Sequence, residues 1–224
     1  MLALLLTGAV LSVTAVLLLR WWPPVTSAFM VEARLGALAR GDFSFHLRHT
    51  WVDRGRIATT VQLAVIASED QKFPFHHGFD FDSIQDALRE QEDGSRSRGA
   101  STISQQTAKN LFLWGGHSYV RKALEAWFTT LLELCWPKSR ILEVYLNSAQ
   151  FGPDVFGVEA AAQTYFHEHA AALTRAEAAQ LAAVLPNPLR LHADRPSAYV
   201  VERREWILTQ MRALGEYSYL RNLR

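Results

Sequence analysis

Three polar segments interrupt an otherwise apolar chain, and each carries side chains able to do chemistry. The first is Ala67-Ser68-Glu69-Asp70-Gln71-Lys72-Phe73-Pro74-Phe75-His76-His77-Gly78-Phe79-Asp80. Two adjacent carboxylates leave an apolar run and enter a turn rich in His, Gly and aromatics. A carboxylate at the end of a buried segment is a candidate general base, because partial desolvation raises its pKa toward working pH. The same pattern fits a helix-end carboxylate paired with a neighbouring cation, since structural ion pairs perturb carboxylates too. His76 and His77 are adjacent and so point apart on a helix or strand, which argues against a shared metal ion.

The second segment runs Arg98-Gly99-Ala100-Ser101-Thr102-Ile103-Ser104-Gln105-Gln106-Thr107-Ala108-Lys109-Asn110. A glycine turn leads into a helix start with hydroxyls, amides and a lysine, a combination that can cradle an anion. An ordinary capped helix with a polar face fits equally. The glycine spacing and Gly-Lys-Ser/Thr ending of a Walker loop are missing. The third segment, Arg121-Lys122-Ala123-Leu124-Glu125, places Arg121 and Glu125 on one helix face, where they can simply pair. It can equally bring a second carboxylate and two cations beside the first. Lys138, Arg140, Glu143, Tyr145 and Asn147 then follow within ten residues. A lysine at a helix start opposes the macrodipole, which hints at a charge wanted for something else, such as a phosphate.

Helices must hold these groups. Residues 31–40 read as a short amphipathic helix ending near Gly41, and Phe43–Leu47 alternates like a short strand. Residues 59–70 are an apolar run compatible with strand or helix. Asp82–Glu92 reads as a helix capped by Asp80 or Asp82, and the Gly/Ser/Arg stretch after it as a mobile loop. Ser101 or Thr102 caps a helix through Asn110. Tyr119–Trp136 is a long amphipathic helix with Leu124, Phe128, Leu131, Leu132 and Cys135 at helical spacing. Pro137 stops it, and a helix from Lys138 to about Asn147 follows. Thr174, with Glu177 three residues on, opens another in a capping box. Tyr199–Leu214 is the last, stopped by Gly215.

The chain has 224 residues, enough for one domain or one domain plus an anchor. Its 49% hydrophobic content excludes a disordered polar tail. Lys plus Arg number 23 against 22 for Asp plus Glu, a balance that argues against a nucleic-acid partner. One cysteine, Cys135, excludes an internal disulfide and a Cys-based zinc site. Met1–Leu19 holds no charged side chain, close to the ~20 residues a spanning helix needs. Arg20, Trp21 and Trp22 follow as an interfacial anchor, then Pro23 and Pro24. A buried core helix or a cleaved signal peptide fits the same run. The missing basic leader and cleavage site favour a retained transmembrane anchor over residues 1–22. Arg20 lies after the run, so charge alone does not orient it.

Taken in order, the polar segments resemble the peptidoglycan glycosyltransferase family, specifically its monofunctional biosynthetic transglycosylases, related to the transglycosylase domain of penicillin-binding proteins. Glu69, Asp70, Phe73, His76 and Gly78 match the first family motif. Gly99, Ser101, Thr102, Ile103, Gln105, Gln106, Lys109 and Asn110 match the second. Arg121, Lys122 and Glu125 match the third, and the run from Lys138 to Asn147 matches the fourth. A stretch with Gly152, Gly157, Ala161, Ala162, Tyr165 and Phe166 follows, then the helix from Glu177 to Pro188. The departures are Ala100, where the family often has a second Gly, and Pro153 beside Gly152. The resemblance covers roughly Thr60 to Met211.

The resemblance implies a mainly α fold, a lysozyme-like lobe with a smaller membrane-facing jaw lobe, preceded by one transmembrane helix. The implied division is an anchor at 1–22, a linker at 23–58, the transglycosylase domain at 59–214 and a tail at 215–224. It implies transfer of a lipid-diphosphate-linked glycan to the 4-hydroxyl of lipid II, with inversion and release of undecaprenyl diphosphate. Glu69 is then the base and Glu125 the second carboxylate. Its role is an acid for the leaving group, an orienter of cations, or a holder of a divalent ion on the diphosphate; no cofactor is required. Asp70, Phe73, His76, Ser101, Thr102, Gln105, Gln106, Lys109, Asn110, Arg121, Lys122, Lys138 and Asn147 are the implied substrate-binding residues. The implied partners are lipid II, the glycan chain, the bilayer and cell-wall synthesis or division proteins. The implied location is the inner membrane, single-pass, with the domain on the periplasmic side. Some aromatics between Phe73 and Trp114 would be exposed, and residues 93–99 would form a flap near the donor. The nearest rival is a lysozyme-like or lytic enzyme that cleaves glycan, which has no diphosphate to neutralise. A non-catalytic recruiting protein would not need both glutamates, and His167-Glu168-His169 lacks the spacing of a zinc hydrolase. No length remains for a peptide cross-linking domain.

Overall fold

The computed structural model describes residues 1–92, 101–116 and 118–223. In chain order its elements are α1 (Leu2–Leu19), α2 (Ala28–Ala39), β1 (Arg48–His49), α3 (Thr59–Glu69), α4 (Phe81–Glu92), α5 (Ile103–Phe112) and α6 (Tyr119–Cys135). Then come α7 (Lys138–Ser148), β2 (Val155–Phe156), α8 (Val158–Phe166), α9 (Arg175–Val184) and α10 (Ala198–Ala213). Short 3-10 turns lie at Arg54–Arg56 and Glu216–Asn222. The mainly α architecture matches the expectation.

At the centre, α3 is buried continuously from Val61 to Ala67. A helix surrounded on all sides shows no 3.6-residue periodicity, which is why this run was ambiguous as sequence. Packed against it are α9, α10 and the Glu216–Asn222 turn, while α5 is wedged between α6 and α7. Caps set the helix starts. Thr102 and Thr174 form full capping boxes with Gln105 and Glu177, and Asp80 accepts the Ser83 N–H at 3.1 Å. The only strands among the described residues pair in parallel, Arg48 with Val155 and His49 with Phe156. They lie past the predicted Phe43–Leu47 strand, and α8 carried no helical expectation.

The N-terminal expectation is corrected. Among the described residues no helix is long and apolar enough to cross a membrane. The predicted transmembrane helix is therefore not borne out, nor is the single-pass inner-membrane placement with a periplasmic domain that rested on it. With 18 residues, α1 extends about 27 Å, short of a ~30 Å hydrocarbon core. Its C-terminal half is instead committed to the domain. Val16 is fully buried, and its carbonyl accepts the Trp136 indole N–H at 2.7 Å. The Arg140 guanidinium donates to the Leu19 and Trp22 carbonyls, both at 2.9 Å. Arg20 reaches the Cys135 carbonyl at 2.7 Å, satisfying a carbonyl that the end of α6 leaves open.

Candidate active site

Glu69 is the last residue of α3, where the chain leaves the core. Its carboxylate is half-buried and has two neutral donors. Ser68 Oγ donates to Oε1 at 3.0 Å and Gln106 Nε2 donates to Oε2 at 3.0 Å. The Gln106 amide cannot turn over freely, because its oxygen accepts from Tyr145 Oη at 2.9 Å. Burial pushes the Glu69 pKa up; the bonds from Gln106 and Ser68 and the charge of Arg203 oppose that rise, and Asp70 adds to it. Tyr145 is buried and its hydroxyl is pushed well above its usual range by burial and by both carboxylates. It therefore acts as a fixed donor. The line Tyr145–Gln106–Glu69 orients the carboxylate through neutral donors.

Asp70 behaves differently. It is buried and accepts from the Ile103 N–H at 2.9 Å and from His76 Nε2 at 2.9 Å. The Gly78 N–H donates to His76 Nδ1 at 3.1 Å, so the proton sits on Nε2, facing Asp70. Thr102 Oγ1 donates to the Gly78 carbonyl at 2.7 Å. Gly78 has φ 89°, and a Cβ there would lie 2.8 Å from the Thr129 methyl, so only glycine lets the turn lie against α6. These contacts tie the turn after Glu69 to the start of α5. Asp70, His76 and Thr102 thus hold the frame around Glu69. His77 is exposed.

A cationic wall gathers around Glu125. On α6, Glu125 is buried and accepts from Arg121 at 2.8 Å and from Lys122 at 2.5 Å. Arg121 Nε is buried without a hydrogen-bond partner among the described residues. Lys109, on α5, is half-buried; its ammonium lies 5.5 Å from the Phe29 ring centre. Burial lowers the Lys109 pKa, and it feels Glu125, Arg121, Lys122 and Glu69 in that order. Lys109 links the wall to Glu69, more weakly than to Glu125. With both Glu125 oxygens held by cationic donors, the residues do not fit a protein-held divalent ion there. Among the described residues no His, Cys, Asp and Glu cluster is arranged for a metal.

Lys138 is also buried, but its charge is already met. Its ammonium pairs with Glu133 at 2.7 Å and lies 4.6 Å from the Phe73 ring centre. Ser104 Oγ donates to the same Glu133 oxygen. The cation at the helix start thus has a structural partner. Phe73 is completely buried, with its ring edge toward His76. Gln105 spends its amide oxygen on the Thr102 N–H at 3.0 Å. The Asn147 side chain fastens the segment before α3, accepting from the Val52 N–H and donating to the Val52 and Glu143 carbonyls. Asn110 is buried and Ser101 exposed. The aromatics divide as expected: Phe75, Phe81 and Trp114 are exposed and Phe73 is core. The expected flap at 93–99 lies outside the described residues.

Sequence reasoning missed Glu133, Tyr145 and Arg203 as parts of this assembly. Glu133 was legible as the fourth member of the stripe Arg121, Glu125, Thr129, Glu133, spaced by four on α6. Tyr145 lay inside the fourth motif without an assigned role, and Arg203 carried no such signal, since α7 and α10 reach Glu69 only through the tertiary fold.

The transglycosylase family model matches residues 38–212 of this chain. The chain is similar to the biosynthetic peptidoglycan transglycosylase of Pectobacterium carotovorum subsp. carotovorum (strain PC1), 54% identical over 207 residues, 92% of this chain and 85% of that protein. The protein of the same name from Xanthomonas axonopodis pv. citri (strain 306) is 52% identical over 212 residues, 95% of this chain and 86% of its own. That from Pseudomonas putida (strain GB-1) is 52% identical over 219 residues, 98% and 92% respectively.

Proposed function

The chain belongs to the biosynthetic peptidoglycan transglycosylase family and is a peptidoglycan glycosyltransferase, and from that premise we propose a mechanism in which Glu69 is the base and the Arg121–Lys122–Lys109 wall receives the diphosphate. The acceptor is the 4-hydroxyl of lipid II, and the donor is the growing lipid-diphosphate-linked glycan. A sugar hydroxyl is a poor nucleophile at neutral pH, so a positioned base contributes ~10²–10⁴-fold. Glu69 takes the hydroxyl proton as the oxygen attacks the anomeric carbon. The bond from that carbon to the diphosphate oxygen breaks with inversion, and the lipid diphosphate leaves.

The observation that carries this reading is the Lys109 ammonium, half-buried between the influence of Glu69 and that of Glu125. A diphosphate is already a good leaving group; it needs its growing charge met more than it needs a proton. Glu125 holds Arg121 and Lys122 side by side for that purpose, the role we assign it in place of acid. A hydrolase acting on a glycosidic bond would have no use for such a wall. Of the other expected substrate contacts, the exposed Ser101 at the start of α5 remains free to meet a sugar or phosphate. Asp70, His76, Thr102 and Gln105 serve by shaping the turn.

The test is incubation of purified Glu69→Gln with radiolabelled lipid-linked disaccharide–peptide. We expect no glycan polymer, with donor binding retained. Polymer at near wild-type rate removes Glu69 from the role of base.

A further inference from the structure

Arg203 lies on α10, more than 130 residues after Glu69 by its 135-residue separation from Ser68, yet it is directed at the end of α3. Its Nη2 donates to the Ser68 carbonyl at 3.0 Å and approaches Ser68 Oγ at 3.5 Å. That carbonyl is one of the last in α3, which the helix itself leaves unpaired. The guanidinium is stacked 4.1 Å from the Trp206 ring centre, one turn along α10. Its Nε is buried with no hydrogen-bond partner among the described residues. A guanidinium held this tightly, with one donor left unmet, is costly unless its charge is useful there. The charge faces the negative end of the α3 macrodipole and, through Ser68, the Glu69 carboxylate.

We infer that Arg203 is a positioning residue for Glu69: it clamps the Ser68 carbonyl at the end of α3, aims the Ser68 hydroxyl at Glu69 Oε1, and sets a positive charge beside the carboxylate. The inference rests on the reading of Glu69 as base. The groups around Glu69 come from every side. Asp70 follows it on the chain, Lys109 acts on it through space from α5, and Tyr145 reaches it from α7 by way of Gln106. From α9, the Ala182 carbonyl lies 3.4 Å from Ser68 Oγ. On α10, Arg204 turns instead to Gln180 and Glu205. Tyr219, in the final 3-10 turn, donates its hydroxyl to the Gln71 carbonyl and feels the charge of Asp70. Asp70 pushes the Glu69 pKa up and Arg203 pulls it down, so removing Arg203 leaves burial and Asp70 unopposed by it.

The sign follows. The base works as carboxylate, so a higher Glu69 pKa moves the acidic limb of the activity profile to higher pH. Arg203→Gln keeps a donor for the Ser68 carbonyl and removes the charge. With lipid-linked disaccharide–peptide as substrate, its acidic limb should move up by about one pH unit. Activity then falls roughly tenfold on the acid side and recovers at alkaline pH. Arg203→Lys should restore most of the profile. The carbon-13 titration of the Glu69 side-chain carboxyl, identified by its loss in Glu69→Gln, should move in the same direction without substrate. An unmoved titration and acidic limb in folded Arg203→Gln overturns the inference. If that variant does not fold, the neutral Arg203→Met decides by the same two readouts: an upward shift of the titration and the acidic limb supports the inference, and wild-type values overturn it. Active Glu69→Gln would instead remove the premise, and the carboxyl titration would still report on Arg203.

Discussion

Glu69 is held in a compromise between reactivity and stability. Burial raises its pKa, so the folded state binds a proton there more readily than the unfolded chain does. By linkage, this costs stability as pH rises above the unfolded carboxylate range, and the cost is full above the folded pKa. Glu69→Gln should therefore raise the melting temperature at neutral pH. The difference should vanish at low pH; thermal unfolding at two pH values checks both parts. Tyr145→Phe removes the hydroxyl that fixes the Gln106 amide. Its kcat should drop several-fold with little change in KM, since Glu69 loses orientation and no donor contact is touched; steady-state kinetics separates the two. At this scale the sequence was informative about chemistry and silent about division of labour. Asp70 and His76 look like reactants beside Glu69, but their hydrogen bonds are spent on each other and on α5.

The elements act as cross-members between the polar groups. The helix α6 carries the wall at one end and Glu133 toward the other, where Glu133 meets Lys138 at the start of α7. Lys138→Met would leave the buried Glu133 without its cation, at a cost of about 3–5 kcal/mol. Denaturant unfolding should register that loss, and most of it should return in Lys138→Met/Glu133→Gln. A second joint lies at Gly157, which opens α8 with φ 81°. A Cβ there would stand 2.7 Å from the Asn147 carbonyl oxygen. Gly157→Ala should cost about 2 kcal/mol or more, since the alanine meets both a strained dihedral and a backbone atom. Capping boxes at Thr102 and Thr174 were legible because they are local: the residue three positions on supplies the return bond. The helix α3 was not, because burial on all faces erases periodicity.

For the whole molecule, the N-terminal apolar run is where local reading and tertiary structure part. Composition alone made Met1–Leu19 look like a membrane anchor, whereas Ser12, Val16 and Leu19 meet α6 and its neighbours. Val16→Asp would bury a carboxylate against Trp136 and should release α1 from the domain. Tryptophan emission should then shift to the red and the melting temperature should fall by several degrees. The order of polar motifs along the chain was enough to point to the family and the mainly α class, and to single out the carboxylates and cations that could do chemistry. Those are properties of residue type and short-range spacing, which the sequence states directly. Folding alone decided that α5, α7 and α10 converge on Glu69, that Lys138 is answered by Glu133, and that Arg203 reaches back 135 residues to the Ser68 carbonyl beside Glu69. Such pairings depend on which faces the core brings together, and burial and Coulomb interactions act through space regardless of separation along the chain.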